Sequence, residues 1–235
     1  MQIQLKHMNA NECWNVIVDM HDDYHQNLKH HKYTYNQFVP NDKRMHEFME
    51  IEKPTHEQIK HYRDIFLNEI YNKKDLQKFD NSIINDVIPK MQMAIECKIK
   101  PLGHKWGLRL PEELNIVCAY GRGGSYYPGE KPVILFRCSE HSGMGLYSTF
   151  MHELVHLLIE EPIIMKYNVP QDLKERIVDL ICLETIGRPV QERFKDSFAN
   201  TYITLGAIQG DLESAVKKMM ADYNAIKQQQ NTPDR

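Results

Sequence analysis

The chain has 235 residues, enough to bury a substantial core as one large domain or as a catalytic domain with a smaller helical extension. Its formal net charge of -3 excludes the dominant basic excess of a general nucleic-acid binder, so no nucleic acid is expected as a partner. No stretch approaches the length of a transmembrane helix, and Met1 to His7 lacks the charged-then-apolar run of a secretory signal; the expectation is a cytoplasmic protein with no membrane partner.

A helix is expected around Glu12 to Lys29. Thr55 to Tyr71 carries Ile59, Tyr62, Ile65, Phe66 and Ile70 at helical spacing, and Ser82 to Cys97 repeats Ile83, Ile84, Val87, Met91 and Ile95 on one face, with Pro89 interrupting it. After Lys100 the texture changes: Pro101, Gly103, Gly107 and Pro111 punctuate the approach to a sheet. Leu114 to Tyr120 and Pro132 to Cys138 read as short strands, joined by a long turn from Gly121 to Gly129. Further helices are expected near Tyr147 to Glu160, Gln171 to Glu184, Pro189 to Phe198 and Asp211 to Ile226. The domain division expected is a mostly helical region over 1–100, a catalytic region over 101–227 and a flexible tail over 228–235.

Five cysteines stand singly, in no zinc-ribbon or redox spacing, and read as reduced, mostly buried thiols. Histidine is abundant, with twelve in the chain, so chance metal-like spacings must be weighed. His21, His25, His30 and His31 read as a solvated face rather than a second metal site, since no apolar shell or following carboxylate accompanies them.

The segment His152-Glu153-Leu154-Val155-His156 carries the chemistry. Two histidines four apart on a helix present their imidazoles on one face and can grip one metal ion, while the carboxylate of Glu153 can reach a water held there. Phe150, Met151, Leu154, Val155, Leu157, Leu158 and Ile159 make this helix apolar nearly all round, as a buried helix requires. Glu175 follows His156 by nineteen positions and Asp179 follows Glu175 by four, so two carboxylates share a face of the next helix; Glu184 is a rival donor.

With His-Glu-x-x-His followed by Glu175-Arg176-Ile177-Val178-Asp179, the stretch from about Val133 to Leu183 resembles the gluzincin class of zinc metallopeptidases, the thermolysin-like proteins. Lys174 departs from that pattern, which usually has asparagine there. The resemblance implies a zincin-like α+β fold, in which a small mixed sheet packs on an active-site helix and a second ligand helix. It implies one Zn2+ held by His152, His156 and Glu175, with Asp179 accepting a hydrogen bond from a ligating imidazole, most naturally that of His152. Glu153 would be the general base in hydrolysis of a peptide or protein substrate by metal-activated water. Zincins also bring a further donor to the developing oxyanion. Tyr202 is the first candidate here, with Arg188, Tyr167 and Tyr223 also late enough in the chain. In such proteins the strand before the active-site helix is an edge strand that aligns substrate, a place taken by Pro132 to Cys138.

Metzincins are excluded, because Ile159 and Pro162 stand where they need glycine and a third histidine, and Cys118 and Cys138 lie in no deformylase motif. The alternative function is a regulatory protein-binding module on a zincin fold with little or restricted proteolysis, for which the extensive first hundred residues speak and the intact Glu153 speaks against. Oligomeric state is not legible.

Overall fold

The computed structural model describes residues 2–31, 33–35, 38–72, 83–137, 143–188 and 197–230. They form a mixed α+β structure that divides into two compact units, one of Met1–Gln92 with Pro111–Glu153, the other of Met93–Leu110 with Leu154–Arg235.

The first unit is built on a sheet. Strand β1 (Gln2–His7) alternates outward polar residues with half-buried Ile3 and Leu5, as a half-covered strand should. It lies parallel to β2 (Glu113–Ala119), whose Leu114, Ile116 and Cys118 point into the core. On its other side β2 runs parallel to β4 (Val133–Arg137), and β3 (Gly124–Tyr127) closes the far side antiparallel to β4. Among the described residues the strands thus form one four-stranded mixed sheet in the order β1-β2-β4-β3.

The structure corrects the sequence reading of the sheet. The segment before the helix of His152 is not an edge strand: β4 is paired on both sides, and its burial from Ile134 to Arg137 fits an inner strand. The edge beside β4 is β3, which lies inside the stretch read as a long turn, because short glycine- and tyrosine-rich runs give no alternation to distinguish strand from loop. Strand β1 is likewise absent from the sequence reading; six residues with only two apolar positions become a strand through backbone pairing to β2.

Helix α1 (Ala10–Gln26) begins at a capping box, Asn9 accepting from the Glu12 amide while the Glu12 side chain accepts from the Asn9 amide. Its Trp14 ring meets Phe48 of α2 (Lys43–Glu50) at 5.3 Å and Phe66 at 5.8 Å. Helix α3 (His56–Ile65) opens on a second capping box, Thr55 with Gln58, and continues as a π-helical turn over Phe66–Ile70. Helix α4 (Ile88–Ala94) follows directly on a π-helical turn over Ile83–Val87, so the chain stays helical across Pro89, and the change from π- to α-helix falls beside the proline expected to interrupt it.

His21 and His25 do not form a solvated face. His21 is 1 % exposed, with Nε2 at 2.7 Å from the Ile51 carbonyl oxygen and Nδ1 at 3.0 Å from Asp22; His25 Nε2 lies 2.9 Å from the Met49 carbonyl. Both tie α1 to the end of α2, where the last helical carbonyls need donors. The side chains of His30 and His31 lie outside the described residues.

The second unit holds α5 (Lys100–Lys105), the C-terminal part of α6 (Gly143–Ile159), α7 (Gln171–Ile186), α8 (Leu205–Gln209) and α9 (Leu212–Gln230). The Trp106 indole donates to the Ile208 carbonyl at 2.8 Å, and Ile177, Val178, Ile181, Leu212, Val216 and Met219 are buried. Helix α7 stops at Gly187, whose φ of 68° is open to glycine at little cost. Residues 189–196 of the helix expected at Pro189 to Phe198 lie outside the described residues, as do Cys138 and the tail from 231; Phe198 opens a 3-10 turn (Phe198–Thr201), and α9 continues to Gln230, into the stretch expected as a flexible tail over 228–235. Cys13, Cys118 and Cys182 are buried and Cys97 is exposed. No helix among the described residues is long and apolar enough to cross a membrane.

Candidate metal centre

Helix α6 is buried because its sequence leaves almost no polar face: Phe150, Met151, Leu154, Val155 and Ile159 are fully covered. Phe150 stacks on Phe136 of β4 with ring centroids 5.6 Å apart, which anchors the helix to the sheet. One turn of this helix separates His152 from His156, and both imidazoles are buried, 6 % and 1 % exposed.

On α7, Glu175 is also buried, and its Oε1 stands 3.5 Å from His156 Nε2. Ligand atoms of His152, His156 and Glu175 all lie within 4.8 Å of one another. Nitrogen and oxygen ligands at about 2.0–2.1 Å from a tetrahedral ion sit about 3.3 Å apart, so the His156–Glu175 spacing suits one metal ion between them. Two imidazoles and a carboxylate are also a donor set suited to zinc and neighbouring divalent metals. This buried trio could hold a metal ion.

Other residues are placed as follows. The Gln171 amide donates to Glu175 Oε1 at 2.8 Å, one helical turn before it; the i to i+4 spacing that permits this bond is the one signal of it in the sequence. Asp179, one turn beyond Glu175 on the same helix, is also buried, 1 % exposed. Lys174 points elsewhere, its Nζ 3.6 Å from Glu160. Glu184 is exposed and accepts from Gln209, which separates it from the buried trio.

Glu153 is 8 % exposed, and no described residue donates a hydrogen bond to its carboxylate. It faces β3, where Gly124 lies against it. Tyr202 is engaged with α9: its hydroxyl donates to Asp222 at 2.8 Å, and that bond raises its pKa above the ordinary tyrosine value. To serve an oxyanion it would have to leave Asp222. The Tyr167 hydroxyl is held similarly, at 2.7 Å from Glu213.

The chain matches no family model, no curated protein and no solved structure with which it was compared.

Proposed function

We propose that this protein is a zinc-dependent metallopeptidase on a zincin-like fold, its ion held by His152, His156 and Glu175. The observation that carries the reading is the burial together of two imidazoles and a carboxylate, with Glu153 adjacent in the chain and its carboxylate uncommitted to any described donor. Among the described residues three donors gather, one fewer than the four protein ligands that a purely structural site normally has.

When bound, zinc supplies Lewis acidity that acidifies water and polarises a carbonyl. The chain supplies the rest. Glu153 takes a proton from the attacking water and delivers it to the leaving nitrogen, a role for which a carboxylate uncommitted to any described donor is suited. Gln171 orients the Glu175 carboxylate, and Asp179 would accept from a ligating imidazole, fixing its tautomer. The β3 edge offers a backbone to which an extended peptide adds, and its Gly124 end lies beside Glu153, so a peptide aligned there would pass the general base.

Elemental analysis of purified wild type and His156→Ala, with cleavage of an unstructured protein mixture by wild type and Glu153→Gln, tests this reading. Near-stoichiometric zinc in wild type, lost in His156→Ala, is expected. Glu153→Gln should keep the metal and lose turnover by about 100-fold or more. Full activity in Glu153→Gln, or no metal after zinc-replete growth, would overturn it. Zinc without cleavage would favour a regulatory binding module.

A further inference from the structure

The Glu153 carboxylate presents a physical problem. A general base must be held to within a fraction of an ångström, yet no described residue donates to this one. Beside it lies Gly124 of β3. A Cβ built on Gly124 would fall 2.7 Å from Glu153 Oε1, 2.9 Å from its Cγ and 2.7 Å from Thr149 Cγ2. A side chain at this position would require the Glu153 side chain and the short, branched Thr149 side chain to shift, and glycine lets the strand come close to both. Thr149 and Glu153 are four residues apart and so present one helical face to the strand.

The strand is itself held from behind. Arg137, the last residue of β4, is 1 % exposed. Its Nε donates to the Arg122 carbonyl at 2.7 Å, and its Nη2 donates to the Gly124 carbonyl at 2.7 Å and to the Ser125 hydroxyl at 3.0 Å. Its guanidinium also lies 5.6 Å from the centre of the Phe38 ring. The planar fork thus spans two carbonyls on either side of Gly123, whose φ of 79° turns the chain into β3. Burying a guanidinium is costly, and these charge-assisted bonds to strand backbone are what its burial secures.

We infer that Gly124, clamped by Arg137, is the positioning element that fixes the Glu153 carboxylate by packing rather than by hydrogen bonding. Its catalytic consequence rests on the metallopeptidase reading above; the contact itself does not. Gly124 and Arg137 are positioning residues and touch no reacting atom. A single methyl group at position 124 would therefore displace the carboxylate.

A double-mutant cycle decides the matter. Gly124→Ala, Glu153→Ala and the double variant are compared with wild type by thermal unfolding, zinc content and steady-state cleavage of a fluorescein-labelled, reduced and alkylated unfolded protein. Gly124→Ala is expected to melt at least about 3 °C lower. Much of that loss should vanish in the Glu153→Ala background, because the opposing carboxylate is gone. Gly124→Ala should also retain its zinc and lose kcat by about 10- to 100-fold with KM within about twofold. Arg137→Lys, which keeps the charge but cannot span two carbonyls, should lower kcat in the same direction with zinc retained. Additive melting temperatures, or kcat unchanged in Gly124→Ala, would overturn the inference. If zinc-loaded wild type cleaves nothing while the melting cycle is coupled, the positioning contact stands and the hydrolase reading falls.

Discussion

Glu175 Oε1 stands 3.5 Å from His156 Nε2 although the two residues are nineteen positions apart. The same oxygen accepts from Gln171, so the carboxylate is aimed at the imidazole by a neighbour on its own helix. Gln171→Leu removes that bond without removing a metal donor. Groups that orient ligands typically contribute 10- to 100-fold in metal affinity, and a loss of about that size is expected in competition with a chromogenic chelator. Glu175→Gln should lose more, since it exchanges an anionic ligand for a neutral one.

Tyr202 offers a contrast. With its hydroxyl bonded to Asp222, Tyr202→Phe is expected to lower the melting temperature slightly and to leave turnover within about twofold, because water replaces much of what such a hydrogen bond contributes. Turnover slowed by about 100-fold would instead restore it as the oxyanion donor, the magnitude that losing such a donor produces.

The thiols differ in reactivity through burial. Burial pushes the Cys13 thiol up to about 11, although the Tyr120 amide donating to its sulfur at 3.2 Å works in the opposite direction. Since the thiolate is the nucleophile, Cys13 should resist alkylation by iodoacetamide at neutral pH, while exposed Cys97 reacts first. Peptide mapping over a time course reads this directly; equal rates would show that the first turn of α1 opens in the native protein.

An acid-dependent loss of stability is expected at α2. The Arg44 guanidinium beside Asp42 holds that carboxyl below the usual carboxylate range, through a fork of 3.0 and 2.9 Å, and the Arg44 amide at 2.9 Å adds to the effect. A carboxyl depressed in the folded state contributes stability that is fully present above its unfolded value, near 3.9, and is lost as pH falls through the folded one. Asp42→Asn should therefore cost up to about 1 kcal/mol at neutral pH, and the gap to wild type should close as pH falls below about 4. A gap that stays constant with pH would assign the effect to helix capping alone.

Local geometry was legible in the chain. Four residues of spacing put His152 beside His156 and Glu175 beside Asp179 because a helix turns every 3.6 residues, and an apolar run around the motif required burial. The position of Glu153 next to His152 is likewise a property of the peptide itself. Nothing beyond a helix was needed to read which residues share a face, whereas Glu175 as the third donor came from the resemblance to gluzincins.

What tertiary structure alone decided is everything that depends on residues far apart. That the Glu175 carboxylate reaches the His156 imidazole is a matter of how α7 meets α6. Strand order makes β3 an edge and β4 an inner strand, an outcome that two short runs with a glycine-rich connection do not encode, because pairing energy lies in backbone groups common to every residue. His21 and His25 lie inside because α2 places the Ile51 and Met49 carbonyls within reach of their imidazoles. The contact of Gly124 with Glu153 is of the same kind: glycine in the sequence signals only a permissive backbone, and the carboxylate it abuts is brought there by the packing of a helix on a sheet.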